Sequence, residues 1–99
     1  MQSYYAEVFE RDMGCTEAEW LGWLPGACAA HALAIDGGTA TVAIDEGALH
    51  LRWSPLPSRQ IALMRMPRLA VGFRFEGLAE ASRQRFMRYF DLYTQRGGG

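Results

Sequence analysis

The stretch of residues 69–95 limits the possible folds most, because its hydrophobic period changes partway along. From Leu69 to Phe75 every second residue is large and apolar, the period of a strand that buries one face. After Gly77 the apolar residues recur at helical spacing as far as about Gln95. A strand and an amphipathic helix each need a partner for their apolar faces, so we expect the helix to lie on a sheet that the rest of the chain completes.

The predicted C-terminal helix has one apolar and one polar face. Burying Phe86, Phe90 and Tyr93 should stabilise the fold by roughly 1.5–3 kcal/mol each. The residues predicted on the apolar face are Leu78, Ala79, Ser82, Phe86, Tyr89, Phe90 and Tyr93, and those on the opposite face are Glu80, Gln84, Arg85, Arg88 and Asp91.

The first residues of the chain admit two interpretations. Residues 3–9 are dense in β-forming side chains, and we interpret them as a strand with Tyr4, Ala6 and Val8 on one side. The i, i+4 spacing of apolar residues from Tyr5 onward leaves a helix open as the alternative.

A helix start follows at Thr16. Thr16 and Glu19 have the spacing of a capping box, in which each side chain accepts a hydrogen bond from the other residue's main-chain amide. Pro25 disfavours helical geometry in the residue before it, so the helix is predicted to end at Leu24. Its buried face should include Trp20 and Trp23.

Glycine-containing turns and prolines divide the middle of the chain into short strands. Strands are predicted over residues 31–35, 39–44 and 48–53, because Asp-Gly-Gly and Asp-Glu-Gly follow the first two. Two prolines mark residues 54–58 as a loop before a further strand over residues 59–66. Pro67 then indicates either a turn or a bulge in one long edge strand. Connections this short require antiparallel neighbours.

These elements give an α+β fold in the order β-α-β-β-β-β-β-α, an antiparallel β-meander packed on a long C-terminal helix. The topology is similar to that of the TBP-like and helix-grip folds, a similarity that implies no function. The predicted organisation is a single domain over residues 1–96 with a flexible glycine tail at 97–99.

Composition and charge exclude several classes of protein. An apolar fraction of 49% excludes a disordered chain, and no apolar run is long enough to span a membrane. The acidic N-terminus is unlike an export signal, and two cysteines without a C-x-x-C pair favour a reduced, cytoplasmic protein. Residues 1–50 have a net charge of −7 and residues 51–99 of +6, with arginine as the only basic residue type. A pI near 6.1 argues against a nucleic-acid partner.

The two faces of the predicted sheet differ in side-chain size. The face opposite the helix would carry small or basic residues, which allow a second copy of the chain or a ligand to approach closely. The inward set is Leu33, Ile35, Val42, Ile44, Leu49, Leu51, Trp53, Leu69, Val71 and Phe73, and the opposite set is Ala32, Ala34, Thr39, Thr41, Ala43, Ala48, His50, Arg52, Ala70, Gly72 and Arg74.

The open face therefore carries a candidate anion site. Arg52, Arg74 and His50 would form it, with Arg65 or Arg68 at its rim. The planar guanidinium group matches the geometry of carboxylates and phosphates. The alternative is that these arginines are ordinary solvated residues with their aliphatic stems on the sheet.

A second candidate site involves cysteine and histidine. Cys28 and His31 have a ligand-like spacing, and His50 could join them in a metal site or a Cys–His enzyme. Without a second ligand pair, a core or helix-capping role for His31 is the favoured interpretation. No glycine pattern predicts a phosphate-binding loop, and no cofactor is predicted.

Three segments carry a family resemblance: Gly-Trp-Leu-Pro-Gly at 22–26, Pro-Arg-Leu-Ala-Val-Gly-Phe-Arg-Phe-Glu-Gly at 67–77, and residues 86–98. They are similar to a family of small, uncharacterised bacterial proteins, a resemblance that implies no activity. The leading hypothesis is therefore a non-enzymatic domain that works by association, as a homodimer or with a protein partner. The alternatives are a binder of an anionic small molecule and a Cys–His enzyme.

Overall fold

The computed structural model describes residues 4–96, and they form one antiparallel sheet with two helices. The strand order in the sheet is β1-β5-β4-β3-β2. The predicted α+β fold, an antiparallel meander packed on a C-terminal helix, is confirmed. The predicted glycine tail at 97–99 lies outside the described residues. The elements are β1 (Val8–Met13), α1 (Glu17–Ala27), β2 (Leu33–Asp36), β3 (Thr39–Ile44), β4 (Gly47–Ile61), β5 (Met64–Glu76) and α2 (Glu80–Arg96).

The sheet has five strands, one fewer than the sequence pattern indicated. The predicted loop at residues 54–58 is part of β4, and the predicted strand at 59–66 is divided by a turn at Ala62 and Leu63. Pro55 is tolerated in β4 for a geometric reason. The Trp53 amide donates toward β3, to the Gly38 oxygen (2.9 Å), so the missing amide of Pro55 also faces that side, where β3 has ended.

The bulge that Pro67 indicated is present on the facing strand. Pairing runs from Leu56 opposite Arg68 to Arg59 opposite Met66, so two residues of β4 face Pro67 alone. Strand β5 itself is continuous past the proline.

The N-terminal elements depart from prediction at their boundaries. Strand β1 begins at Val8, residues 4–7 are irregular, and the alternative of a helix from Tyr5 is wrong. Ser3, the first residue of the predicted strand, lies outside the described range. The capping box at the start of α1 is confirmed. The predicted end of α1 at Leu24 is wrong, because the Cys28 amide donates to the Leu24 oxygen (3.0 Å) and the helix continues through the proline to Ala27.

The core lies between one face of the sheet and the two helices. Phe90 of α2 contacts Phe73 edge to face with ring centroids 5.7 Å apart, and Trp20 of α1 lies against both Phe90 (5.9 Å) and Trp53 (5.6 Å). The predicted inward set is buried except at the β2 edge, where Leu33 is half-buried and Ile35 is exposed. Among residues 4–96, neither helix combines the length and apolar composition needed to cross a membrane.

The buried face of α2 differs from its predicted apolar stripe. Tyr89 is exposed, whereas Arg83, Gln84 and Met87 are buried. The two polar side chains are buried because they bind the main chain of Tyr5. Arg83 Nε donates to the Tyr5 oxygen at 2.9 Å, and the Gln84 amide pairs with both the oxygen (2.8 Å) and the amide (3.0 Å) of Tyr5. Charged and amide side chains thus dock the N-terminal segment onto α2.

Candidate functional site

The sheet face opposite the helices brings together the arginines and the histidine predicted to bind an anion. Strand register sets their neighbours, because directly paired residues point to the same face. His50 is paired with Arg74, and Arg52 with Gly72. The first row across the sheet is Ala34, Thr41, His50, Arg74 and Val8, and the second is Asp36, Thr39, Arg52, Gly72 and Glu10.

These two rows surround a pocket of about 380 Å³, which we call the arginine pocket. It is lined by both rows from Thr39 and Thr41 on β3 to Val8 and Glu10 on β1. Gly72 lies at its centre, where the absence of a side chain leaves room between Arg52 and the β1 edge. The Arg52 Nη2 atom lies 4.0 Å from the position that a Cβ atom at Gly72 would occupy.

The charged groups in the arginine pocket are not equally engaged. Neither Arg52 nor Arg74 forms a hydrogen bond or an ion pair with any of residues 4–96. His50 Nε2 lies 2.8 Å from a carboxylate oxygen of Glu76, a contact that orients the ring. Two guanidinium groups that form no ion pair within residues 4–96 therefore lie next to an oriented imidazole.

The two arginines predicted at the rim lie elsewhere. Arg68 binds Asp12, with Nη2 at 2.7 Å and Nε at 2.9 Å from the same oxygen, and this pairing raises the pKa of Arg68. The same hydrogen bond lowers the pKa of the Asp12 carboxyl. Arg65 faces Gln60, much closer to the β4–β5 turn. Neither arginine lines the arginine pocket.

The cysteine and histidine candidates are separated by the sheet. Cys28 and His31 lie beside a smaller cavity of about 170 Å³ next to α2, whereas His50 is on the open face. His31 Nδ1 is 2.9 Å from the Cys28 carbonyl oxygen, and the His31 ring lies edge to face with Phe86 at 5.4 Å. Burial raises the pKa of the Cys28 thiol to about 11, which keeps it protonated at neutral pH. In the described part of the chain, no three Cys, His, Asp or Glu side chains form a group suited to a metal.

The sequence interpretation missed a projecting β-hairpin, residues 57–66, which we call the arm. Strand β3 ends opposite Arg52 and β1 ends opposite Leu69, so beyond these points β4 and β5 pair only with each other. All arm residues are exposed, including four large apolar ones. Their exposed fractions are 52% for Ile61, 100% for Leu63, 66% for Met64 and 42% for Met66.

Three of the four apolar side chains of the arm, those of Ile61, Met64 and Met66, lie on the same side as the arginine pocket. Met64 and Met66 share the parity of Gly72 along β5, and their partners are Ile61 and Arg59. The arm also carries Arg65 on the opposite face, and within residues 4–96 neither arm arginine forms a hydrogen bond or an ion pair. A continuous surface therefore runs from the arginine pocket to Arg59 and the apolar side chains of the arm. The only sequence signal for it was the undivided apolar run from Ile61 to Met64.

No protein-family model and no curated protein matches this chain. The resemblance to a family of small bacterial proteins therefore stays a prediction, and function is argued from the geometry.

Proposed function

We propose that the protein is a small non-enzymatic domain that works by association, and that the arm pairs it with a second copy of the same chain. The observation that carries the proposal is the set of four large apolar side chains exposed on one ten-residue projection. Contiguous exposed apolar surface on a domain of this size marks an interaction site more often than a solvated one. Methionines at two of the four positions suit an adaptable contact surface.

Charge favours a second copy as the occupant. The arm contains two arginines and no acidic residue, whereas the rest of the chain has a net charge of −3. A two-fold pair can place each cationic arm against the acidic body of the other copy, so that both contacts form at once.

The segment before the edge strand β1 and the start of β1 supply the complementary surface. Tyr4 in that segment and Val8 at the start of β1 are exposed apolar residues, at 69% and 62%. Glu7 and Glu10 are exposed beside them, and neither carboxylate is paired with an arginine within the described chain. The β1 edge thus combines apolar and acidic groups, the complement of the arm.

We also propose that the protein works in the reducing cytoplasm and is not an enzyme. Cys15 and Cys28 are both free and buried, as in proteins that do not depend on disulfides. The buried, protonated thiol of Cys28 is a poor nucleophile at neutral pH. Both observations support the proposal.

Sedimentation equilibrium over a wide concentration range tests the pairing. Leu63→Asp should weaken self-association by roughly tenfold or more, because a fully buried leucine contributes about 1.5–3 kcal/mol. The matched control is Leu92→Asp on α2, since Leu92 has a similar chemistry and is 54% exposed. Added salt should weaken the wild-type pair because charge contributes to it.

Three outcomes would overturn the proposal. They are a wild-type protein that stays monomeric at millimolar concentration, an unchanged dissociation constant for Leu63→Asp, and an equal loss in Leu92→Asp. Thermal melting of both variants verifies that neither substitution unfolds the chain.

A further inference from the structure

We infer that the arginine pocket binds a phosphate monoester of a small hydroxylated or amino-bearing molecule. The inference goes beyond self-association and rests on Arg52 and Arg74, which lie outside the arm. These side chains project from neighbouring strands and form no ion pair with any of residues 4–96.

The strand register allows one anion to reach both guanidinium groups. Arg52 is paired with Gly72 and Arg74 is two residues further along β5, so the two arginines are diagonal neighbours. Diagonal neighbours in an antiparallel pair are roughly 7–8 Å apart, and both arginine side chains can converge on a group between them. The Arg52 guanidinium already reaches toward Gly72, with Nη2 4.0 Å from the position of a Cβ atom there.

The number of donors favours phosphate over carboxylate. Each guanidinium presents two parallel N–H groups to a bidentate acceptor, so two of them are best matched by three or more oxygen atoms. A phosphate monoester has three terminal oxygens and a charge between about −1.5 and −2 at neutral pH, close to the charge of the two arginines. A single carboxylate offers two oxygens and one negative charge, which one arginine satisfies.

The remaining groups of the pocket point to a second half of the ligand that carries hydroxyl or amino groups. Glu10 lies across Gly72 from Arg52 and forms no ion pair in the described chain. A free carboxylate repels a second anion and accepts a hydrogen bond from a hydroxyl or amino group. Thr39 and Thr41 line the opposite side with hydroxyl groups, and the volume of about 380 Å³ lies within the range of small-molecule sites.

Isothermal titration at constant ionic strength tests the inference with four probes: glycerol phosphate, inorganic phosphate, glycerol and citrate. Glycerol phosphate should bind best, inorganic phosphate more weakly and glycerol undetectably. Citrate should bind less tightly than glycerol phosphate, because Glu10 repels its additional carboxylates. Arg52→Ala and Arg74→Ala should each weaken glycerol phosphate binding by roughly tenfold or more.

Two further variants separate a built site from general positive charge. Arg88→Ala removes an exposed α2 arginine that forms no ion pair within residues 4–96, so it should change the affinity less than twofold. Gly72→Val fills the centre of the pocket and should abolish binding without lowering the melting temperature, since valine suits a strand.

The inference is overturned if Arg88→Ala loses as much affinity as Arg52→Ala, if citrate binds more tightly than glycerol phosphate, or if no phosphate probe binds. Titration of Leu63→Asp distinguishes this failure from failure of the pairing, because that variant should keep its affinity for glycerol phosphate.

Discussion

Replacing Asp91 by alanine should destabilise the protein by about 2–3 kcal/mol, because this carboxylate holds the N-terminal segment on α2. The Tyr5 hydroxyl donates to Asp91 Oδ2 at 2.6 Å, and Arg11 donates to both carboxylate oxygens at 2.6 and 3.0 Å. The Arg11 guanidinium also lies within 5.3 Å of the ring centres of Phe9 and Phe73. The Arg11 charge, on the inward side of an edge strand, is thus held by the Asp91 carboxylate and by contacts with aromatic rings.

The magnitude follows from burial. Removing one partner of a fully buried pair costs about 3–5 kcal/mol, but the Arg11 and Asp91 side chains keep exposed fractions of 29% and 20%, so solvent reduces the penalty. Burial alone would lower the pKa of Arg11, and the hydrogen bond and charge of Asp91 outweigh it and raise that pKa. The expected loss corresponds to a melting temperature lower by roughly 10–20 °C in a domain of this length.

Urea unfolding followed by tryptophan fluorescence measures the loss. Arg85→Ala is the control, because Arg85 and Asp45 form an exposed pair at 3.7 Å and should contribute less than about 0.5 kcal/mol. Adding Arg11→Met to Asp91→Ala should recover part of the stability. Methionine removes the guanidinium charge that Asp91→Ala leaves without its carboxylate, and it keeps an apolar stem of similar length. An Asp91→Ala cost no larger than that of Arg85→Ala, or a further loss in the double variant, would refute this account.

Three further predictions concern glycines and a thiol. Gly47→Ala should destabilise the protein by about 2 kcal/mol or more, because a Cβ there meets main-chain atoms at the end of β5. Gly72→Ala should stabilise β5 by about 0.5–1 kcal/mol. Equal melting temperatures for the two variants would contradict both predictions. Gly26→Ala should cost about 1–3 kcal/mol by contact with the Tyr93 ring, and Tyr93→Leu should relieve that cost in a double-variant cycle. The Cys28 thiol has a pKa of about 11 in the folded protein, against an ordinary value of 9.0. The unfolded chain therefore loses this proton first, so the free energy of unfolding should fall as pH rises through this range. In urea titrations at a series of alkaline pH values, a Cys28→Ala variant whose stability falls as steeply as that of the wild type would contradict the prediction.

The buried face of the sheet could be predicted from alternation, and the β4–β5 turn could not. Leu49, Leu51, Val71 and Phe73 are buried as their parity indicated, because a single register keeps every second residue inward. The turn at Ala62 carries no glycine, asparagine or proline, and Ala62 itself adopts a positive φ of 55°. Such a turn has no compositional signal. Pro55 and Pro57 indicated a loop instead, but β4 continues through both prolines because β3 has already ended beside them.

The candidate site shows the same division between parity and register. Parity predicted that Arg52, Arg74 and His50 share a face, and the register places them in adjacent rows. Parity along β5 places Arg68 on the face of Gly72 and Arg65 on the opposite face, but it could be applied to these arginines only once β5 was known to continue past Pro67. The hydrophobic pattern of α2 could not predict that Arg83 and Gln84 are buried. Their burial depends on hydrogen bonds to the main chain of Tyr5, which is distant in sequence.

The two long strands β4 and β5 carry core residues as well as residues of both proposed binding surfaces, and the two kinds of residue can be substituted separately. From Gly47 to Trp53 the inward residues of β4 are core, and the same strand carries Arg52 and His50 outward. Beyond β3 and β1, no helix and no third strand among residues 4–96 lies against the two strands, so arm side chains contribute little to folding. Substitutions at Leu63 or Arg52 should therefore change binding with little change in stability, whereas substitutions at inward positions of the same strands should do the reverse. If β4 and β5 served only to support the fold, substitutions at Leu63 or Arg52 would leave binding unchanged.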